Sequence, residues 1–215
     1  MAVIQDPTNS ANIQRIDSGG VARTSVYPIG ESYATSGVTG TMAAALGSLS
    51  PVFLMRASAT AGNRVAQIDR IRIQYTTLVV YTTPLTVGRR LAIFRGSSSS
   101  PVTSGGTAID PNPPKNLAMG ASIFDSAGGG DTRIASTGTL AATNVVFEAT
   151  PLKVMSLAHA GAAGAYYEQV MDFQDHPLTI RAGEVLAIRA GQAFDAAGTW
   201  QLAVMVEWRE ITPML

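Results

Sequence analysis

From Thr199 to Ile211 the chain alternates between two kinds of residue. Trp200, Leu202, Val204, Val206 and Trp208 fall on one parity, and Gln201, Ala203, Met205, Glu207 and Arg209 on the other. A period of two marks a strand with one buried face. The even face is aromatic and β-branched and holds both tryptophans of the chain, so it requires a core. The run is also long for a strand, and it is expected to be the central strand of an antiparallel sheet.

The same reading carried back along the chain gives further strands. Val52 to Ala57 is the first. Val65 to Tyr75 alternates, with Ile71, Ile73 and Tyr75 opposite Arg70, Arg72 and Gln74, and Thr76 to Thr82 continues it. Val87 to Arg95 follows. From about residue 96 to 138 Pro and Gly break the pattern repeatedly, which predicts a long insertion with short strands near Ile123-Phe124 and Arg133-Ile134. Strand pattern resumes at Val145–Phe147, at Pro151–His159 and at Tyr166–Phe173, where Tyr167, Gln169, Met171 and Phe173 share a parity. Pro177–Glu184, a short strand with a tight turn, and Val185–Ala190 complete the set. Many strands and no long helix predict an all-β protein: an antiparallel two-sheet sandwich of the jelly-roll type over residues 51–215.

Residues 1–50 read differently. Gly19-Gly20, Pro28, Gly30, Gly37 and Gly40 interrupt the chain every few positions. The apolar residues Val3, Ile4, Ile13, Ile16, Val21, Val26, Tyr27 and Ile29 do not collect into one continuous face. Such a segment is a free tail or an extended arm ordered by docking on a neighbour, and these eight residues are the candidate partner-binding positions. Thr41 to Leu49 predicts a short helical turn, capped by Thr41 and ended by Gly47.

With 215 residues there is enough chain for one sizeable core. Charged residues are only 14%, balanced at 15 basic and 15 acidic, so nothing selects nucleic acid. The absence of Cys removes disulfides and thiolate chemistry and suits synthesis in a reducing cytoplasm. No secretory leader is expected over Met1 to Asp17, and no apolar run reaches the ~20 residues that span a bilayer. A surface this poor in charge is expected to be covered by other protein.

Candidate chemistry is sparse. No G-x-S-x-G elbow is present, and the only histidines are His159 and His176. Asp172, Asp175 and His176 form the one compact acid and His cluster, with too few ligands for calcium or zinc. Asp125 and Asp131 lack the order of a calcium loop, and Gly128-Gly129-Gly130 lacks the Lys of a phosphate loop, which leaves flexibility as the reason for those glycines. Arg70, Arg72, Arg89 and Arg90 are expected on adjacent strands, where Glu207 and Glu210 offer cross-strand partners. Tyr166-Tyr167 and Trp200 could stack sugars, although alternation places Tyr167 and Trp200 in the core. No catalytic, metal or cofactor residue is assigned.

Several stretches, in order, resemble tailed-bacteriophage virion proteins with a jelly-roll body. They are Asp6-Pro7-Thr8-Asn9-Ser10-Ala11 with Ile16-Asp17-Ser18-Gly19-Gly20, then Thr39–Leu46 leading into Ser50–Arg56. Ile68–Ile73 follows, and Pro177–Ile188 closes on Gly198-Thr199-Trp200 with Val206–Arg209. The resemblance covers most of the chain outside the 96–138 insertion. It implies a non-enzymatic capsid decoration or cement protein, made in the host bacterial cytoplasm and carried on the capsid exterior. The implied partners are the major capsid protein of the phage head, met through the arm, and further copies in a dimer or trimer. Membrane and specific nucleic acid are not implied. The alternative within the same family is a fibre or tail module that binds a host glycan through its loops. A cupin-like enzyme would need more than two separated histidines.

Overall fold

The computed structural model describes residues 3–6, 9–16, 22–23, 31–43, 46–81, 88–102, 105–111, 120–157, 163–164, 166–173, 176–194 and 198–211. The chain divides into two compact units, Met1–Gly30 and Glu31–Leu215. In the first, β1 (Val3–Asp6), β2 (Asn9–Ile16) and β3 (Ala22–Arg23) form an antiparallel sheet in that order. Val3 lies opposite Arg15, Ile4 opposite Gln14 and Ile16 opposite Ala22. The expected extended arm is therefore strand-paired with itself.

The second unit contains β4 (Glu31–Val38), β5 (Met42–Ala43), β6 (Pro51–Arg56), β7 (Val65–Val79), β8 (Arg89–Ser97), β9 (Thr107–Ala108), β10 (Asp131–Ile134), β11 (Val146–Phe147), β12 (Lys153–Leu157), β13 (Tyr166–Asp172), β14 (Leu178–Ile180), β15 (Glu184–Ala190) and β16 (Thr199–Ile211). Its only described helix is the 3-10 turn Ser126–Gly128. One sheet runs β13-β7-β16-β4, with β14 also on β7 and β5 also on β16. The other runs β11-β8-β15-β6-β10-β9, with β12 also on β8. Every pairing is antiparallel, and the two sheets pack as a sandwich, in agreement with the expected fold class.

The alternation in β16 is obeyed at every residue, even positions buried and odd ones half-buried. The strand is central, with β7 on one side and β4 on the other. Tyr75 stacks on Trp200 at 5.3 Å between ring centroids, and Tyr33 on Trp208 at 5.6 Å. Aromatic pairs of this kind add roughly 0.5–1.5 kcal/mol beyond their area.

Tyr33 corrects the expected boundary near residue 50. It is the cross-strand partner of Trp208 and fully buried, and Met42 and Leu46 are core residues too. The expected helical turn after Thr41 is absent at Met42-Ala43, which form β5. The strand β4 escapes pattern reading because its inward positions are Tyr33, Thr35 and Gly37, only one of them large and apolar. Gly37 is small for a reason: a Cβ there would lie 2.5 Å from Ile109 Cδ1.

The insertion adds β9 and β10 to the edge of the second sheet beyond β6, and the chain after it packs Phe147 on Phe94. β6 and β15 carry continuous apolar runs, Val52–Met55 and Val185–Ile188, and all eight residues are buried. Runs of that kind belong to strands covered on both faces. Val102, Leu140 and Val145 are buried within the segment that follows β8. The Ala135 N–H donates to the Val52 carbonyl and the Leu140 N–H to that of Pro51. Phe147 meets Phe94 edge-on at 6.5 Å, and the Arg189 guanidinium lies 4.0 Å over Phe147. Arg133-Ile134 is a strand as expected, whereas Ile123-Phe124 is a turn.

Candidate functional site

Of the eight candidate partner-binding residues, Val3 and Ile4 lie in β1 and Ile13 and Ile16 in β2. Val21, Val26, Tyr27 and Ile29 lie outside the described residues, as do His159 and Asp175. The sheet places Ile13 opposite Gln5 and leaves β1 and β3 as its two edges.

The polar candidates in the sandwich are engaged with one another. Arg70 pairs with Glu207 at 3.4 Å and with Asp172 at 3.2 Å, and Arg72 with Glu168 at 3.4 Å. Arg209 grips Asp69 with two nitrogens, the closer contact at 2.7 Å. The cross-strand pairing expected for Arg70 and Glu207 is thus present. Arg89 is not on a solvated sheet face: it is buried, with its guanidinium 3.4 Å over the Tyr81 ring. Trp200 is fully buried and Tyr166 exposed. Among the described residues no group of three or more His, Asp or Glu is placed to hold a metal. Nor is any helix among them long and apolar enough to cross a membrane.

Glu210 departs from its expected role. It lies on the even, core-facing parity of β16, and its side chain is fully buried. Its Oε2 is 2.6 Å from Arg64, and its Oε1 accepts from Ser122 Oγ at 2.6 Å, from Trp208 Nε1 at 3.0 Å and from the Ile123 N–H at 3.0 Å. Arg64 also reaches Glu31 at 3.2 Å. The Gly120 N–H donates to Glu31, and the Tyr33 hydroxyl lies 2.7 Å from both Glu31 Oε2 and the Gly120 carbonyl. The Gly120 N–H and the Tyr33 hydroxyl hold the Glu31 carboxyl below its ordinary range, and burial raises Tyr33. A buried carboxylate is stable only when paired and fully hydrogen-bonded, and here the bonds to Gly120, Ser122 and Ile123 fasten residues 120–123 to the sheet end. The parity of Glu210 was a usable signal, since a carboxylate on a core face needs dedicated partners.

A second buried acid sits where β10 joins β6. Asp131 and Arg56 are register partners, and both are buried. Arg56 donates to the Ser98 carbonyl at 3.1 Å and to that of Gly129 at 2.6 Å. Asp131 lies 3.9 Å from Arg133, and its Oδ2 has no hydrogen-bond partner. The glycines beside it do structural work. Gly129 adopts φ +82 to end the 3-10 turn that Asp125 caps, and a Cβ on Gly130 would lie 2.4 Å from the Ile123 carbonyl. Flexibility is therefore not the reason for Gly129 and Gly130.

Burial raises the Asp131 carboxyl from its ordinary 3.8 to about 6, against the opposing pull of Arg133, Arg56 and the Val102 N–H. A carboxyl raised in the folded state favours folding most below its unfolded pKa and loses that contribution as pH rises through about 6. Asp131→Asn, which stays neutral, is expected to lack this dependence. Between pH 4 and pH 7 the stability difference should move in favour of the variant by about 2 kcal/mol. Urea titrations of both proteins across that range measure it, and parallel curves would refute the shift.

No family model and no curated protein matches this chain.

Proposed function

We propose that this chain is a non-enzymatic virion structural protein: a capsid decoration or cement protein of a tailed bacteriophage. It binds the assembled head through residues 1–30 and stabilises the shell. The observation that carries the reading is the division of the chain. Residues 1–30 make a sheet of their own, while both layers of the sandwich are built from Glu31 onward. A segment whose described strands pair only with one another, with edges at β1 and β3, is suited to pairing with another protein by strand addition.

The strand orders support a jelly roll. Taking β4, β6, β7, β8, β12, β13, β15 and β16 in chain order, one layer reads first-eighth-third-sixth and the other second-seventh-fourth-fifth. That interleaving is what two wrapped Greek keys produce. The partner is the major capsid protein, and the location is the capsid exterior. A segment that binds assembled shell and not free coat protein stabilises the shell by mass action.

The test is co-sedimentation with undecorated heads, comparing the full chain with a variant lacking residues 2–30. The variant should fold, keep both tryptophans buried and lose head binding. Full occupancy by the truncated protein would place the anchor elsewhere. Failure to bind by either protein would overturn the decoration reading.

A further inference from the structure

We infer that β13 is a self-association edge, on which two copies of this chain join their first sheets antiparallel about a twofold axis at Gln169. The inference does not rest on the head-binding reading. β13 ends its sheet, and its pairing with β7 runs from Tyr166 to Asp172 without a bulge. Open edges are normally blunted by charged side chains, Pro, bulges or short length; Tyr166–Asp172 has no Pro or bulge, and its two charges, Glu168 and Asp172, are paired with Arg72 and Arg70 of β7. Instead it exposes Tyr166 at 68% and Val170 at 45%. Other edges are guarded. On β4, Thr35 Oγ1 donates to the Asp110 carbonyl, and Glu31 and Tyr33 hold Gly120. β12 carries Lys153, and β9 has two residues.

Backbone direction and charge select one register. The Phe173 N–H donates to the Asp69 carbonyl. By antiparallel alternation, odd residues of β13 turn their backbone groups to β7, while Tyr166, Glu168, Val170 and Asp172 turn theirs to the open edge. A twofold at Glu168 would set Glu168 against its own copy, and one at Val170 would set Glu168 against Asp172. A twofold at Gln169 pairs Tyr166 with Asp172 and Glu168 with Val170, so no like charges lie directly opposite. Gln169 then meets itself at the centre. Its Oε1 is buried without a hydrogen-bond partner in the single chain, and the two Gln169 amides can satisfy each other only by turning their side chains toward the axis.

The experiment uses the full chain in sedimentation equilibrium. The wild type should be a dimer. Val170→Glu, opposite Glu168 of the other copy, should raise Kd roughly tenfold because two symmetric like-charge pairs are created. Val170→Lys introduces a charge at the same exposed position but should leave Kd unchanged or lower. The chain has no Cys, so single cysteines report register. Gln169→Cys should cross-link on mild oxidation, its Cα atoms about 4.5 Å apart in the close antiparallel pair. Glu168→Cys, offset by a diagonal of about 7–8 Å, should not. A monomeric wild type, equal weakening by Glu and Lys at 170, or equal cross-linking at 168 and 169 would each overturn the inference.

Discussion

Val204→Asp is expected to abolish soluble expression, whereas Gln201→Asp leaves a folded protein. Val204 is 2% exposed at the centre of β16, opposite Ile73 of β7 and Gly37 of β4. Neither of the residues opposite it is basic, so a carboxylate there gains no ion pair from its strand neighbours. An unpaired buried charge costs several kcal/mol, a large part of the roughly 5–15 kcal/mol that holds a domain together. Gln201 points the other way, is half-buried and lies opposite Thr76. A charge there stays hydrated and should cost less than about 1 kcal/mol. Soluble yield and thermal melts of the two variants check this. Equal damage on both parities would show that the outer face of β16 is also closed.

The second large effect is expected from Glu210→Ala. Removing this carboxylate strands Trp208 Nε1, Ser122 Oγ and the Ile123 N–H, and takes from Arg64 its closest partner. Breaking a buried ion pair on one side costs about 3–5 kcal/mol, which for a domain of this size lowers Tm by about 10 °C. Glu210→Gln keeps an oxygen for the three donors and should lose clearly less. The damage should also be local. Amide exchange at Ile123 should accelerate in the Ala variant more than at Val204, because the carboxylate is what fastens residues 120–123 to the strand. Equal stability of the Ala and Gln variants would mean that the network does not hold the turn.

Legibility followed the physics of each element. β16, β7 and β13 were readable because one face is apolar and the other polar, so the period is written in the residues. β6 and β15 were readable as strands but not as strands covered on both sides, although the unbroken runs Val52–Met55 and Val185–Ile188 carry that information. β4 was missed because its inward residues are Tyr33, Thr35 and Gly37, chosen to fit Trp208, Asp110 and Ile109. Glu210 was assigned to the ion pairs of the outer face, yet its parity with Trp208 places it inside. Arg89 is expected on a solvated or paired sheet face, and only the position of the Tyr81 ring shows why it is buried.

The sequence by itself determined the all-β class, the antiparallel sandwich, the central place of β16 and the inward face of β7, β13 and β16. These follow from period and composition, which act locally along the chain. Only the tertiary structure decided that the unit boundary falls after Gly30 and that the insertion adds β9 and β10 to the edge of the second sheet. It alone decided that Glu210 and Asp131 are buried acids with different surroundings. Each depends on what lies opposite in space: Tyr33 on Trp208, Arg56 beside Asp131, Arg64 against Glu210. Contacts between residues distant in the chain leave no period in it, so only the folded arrangement reveals them.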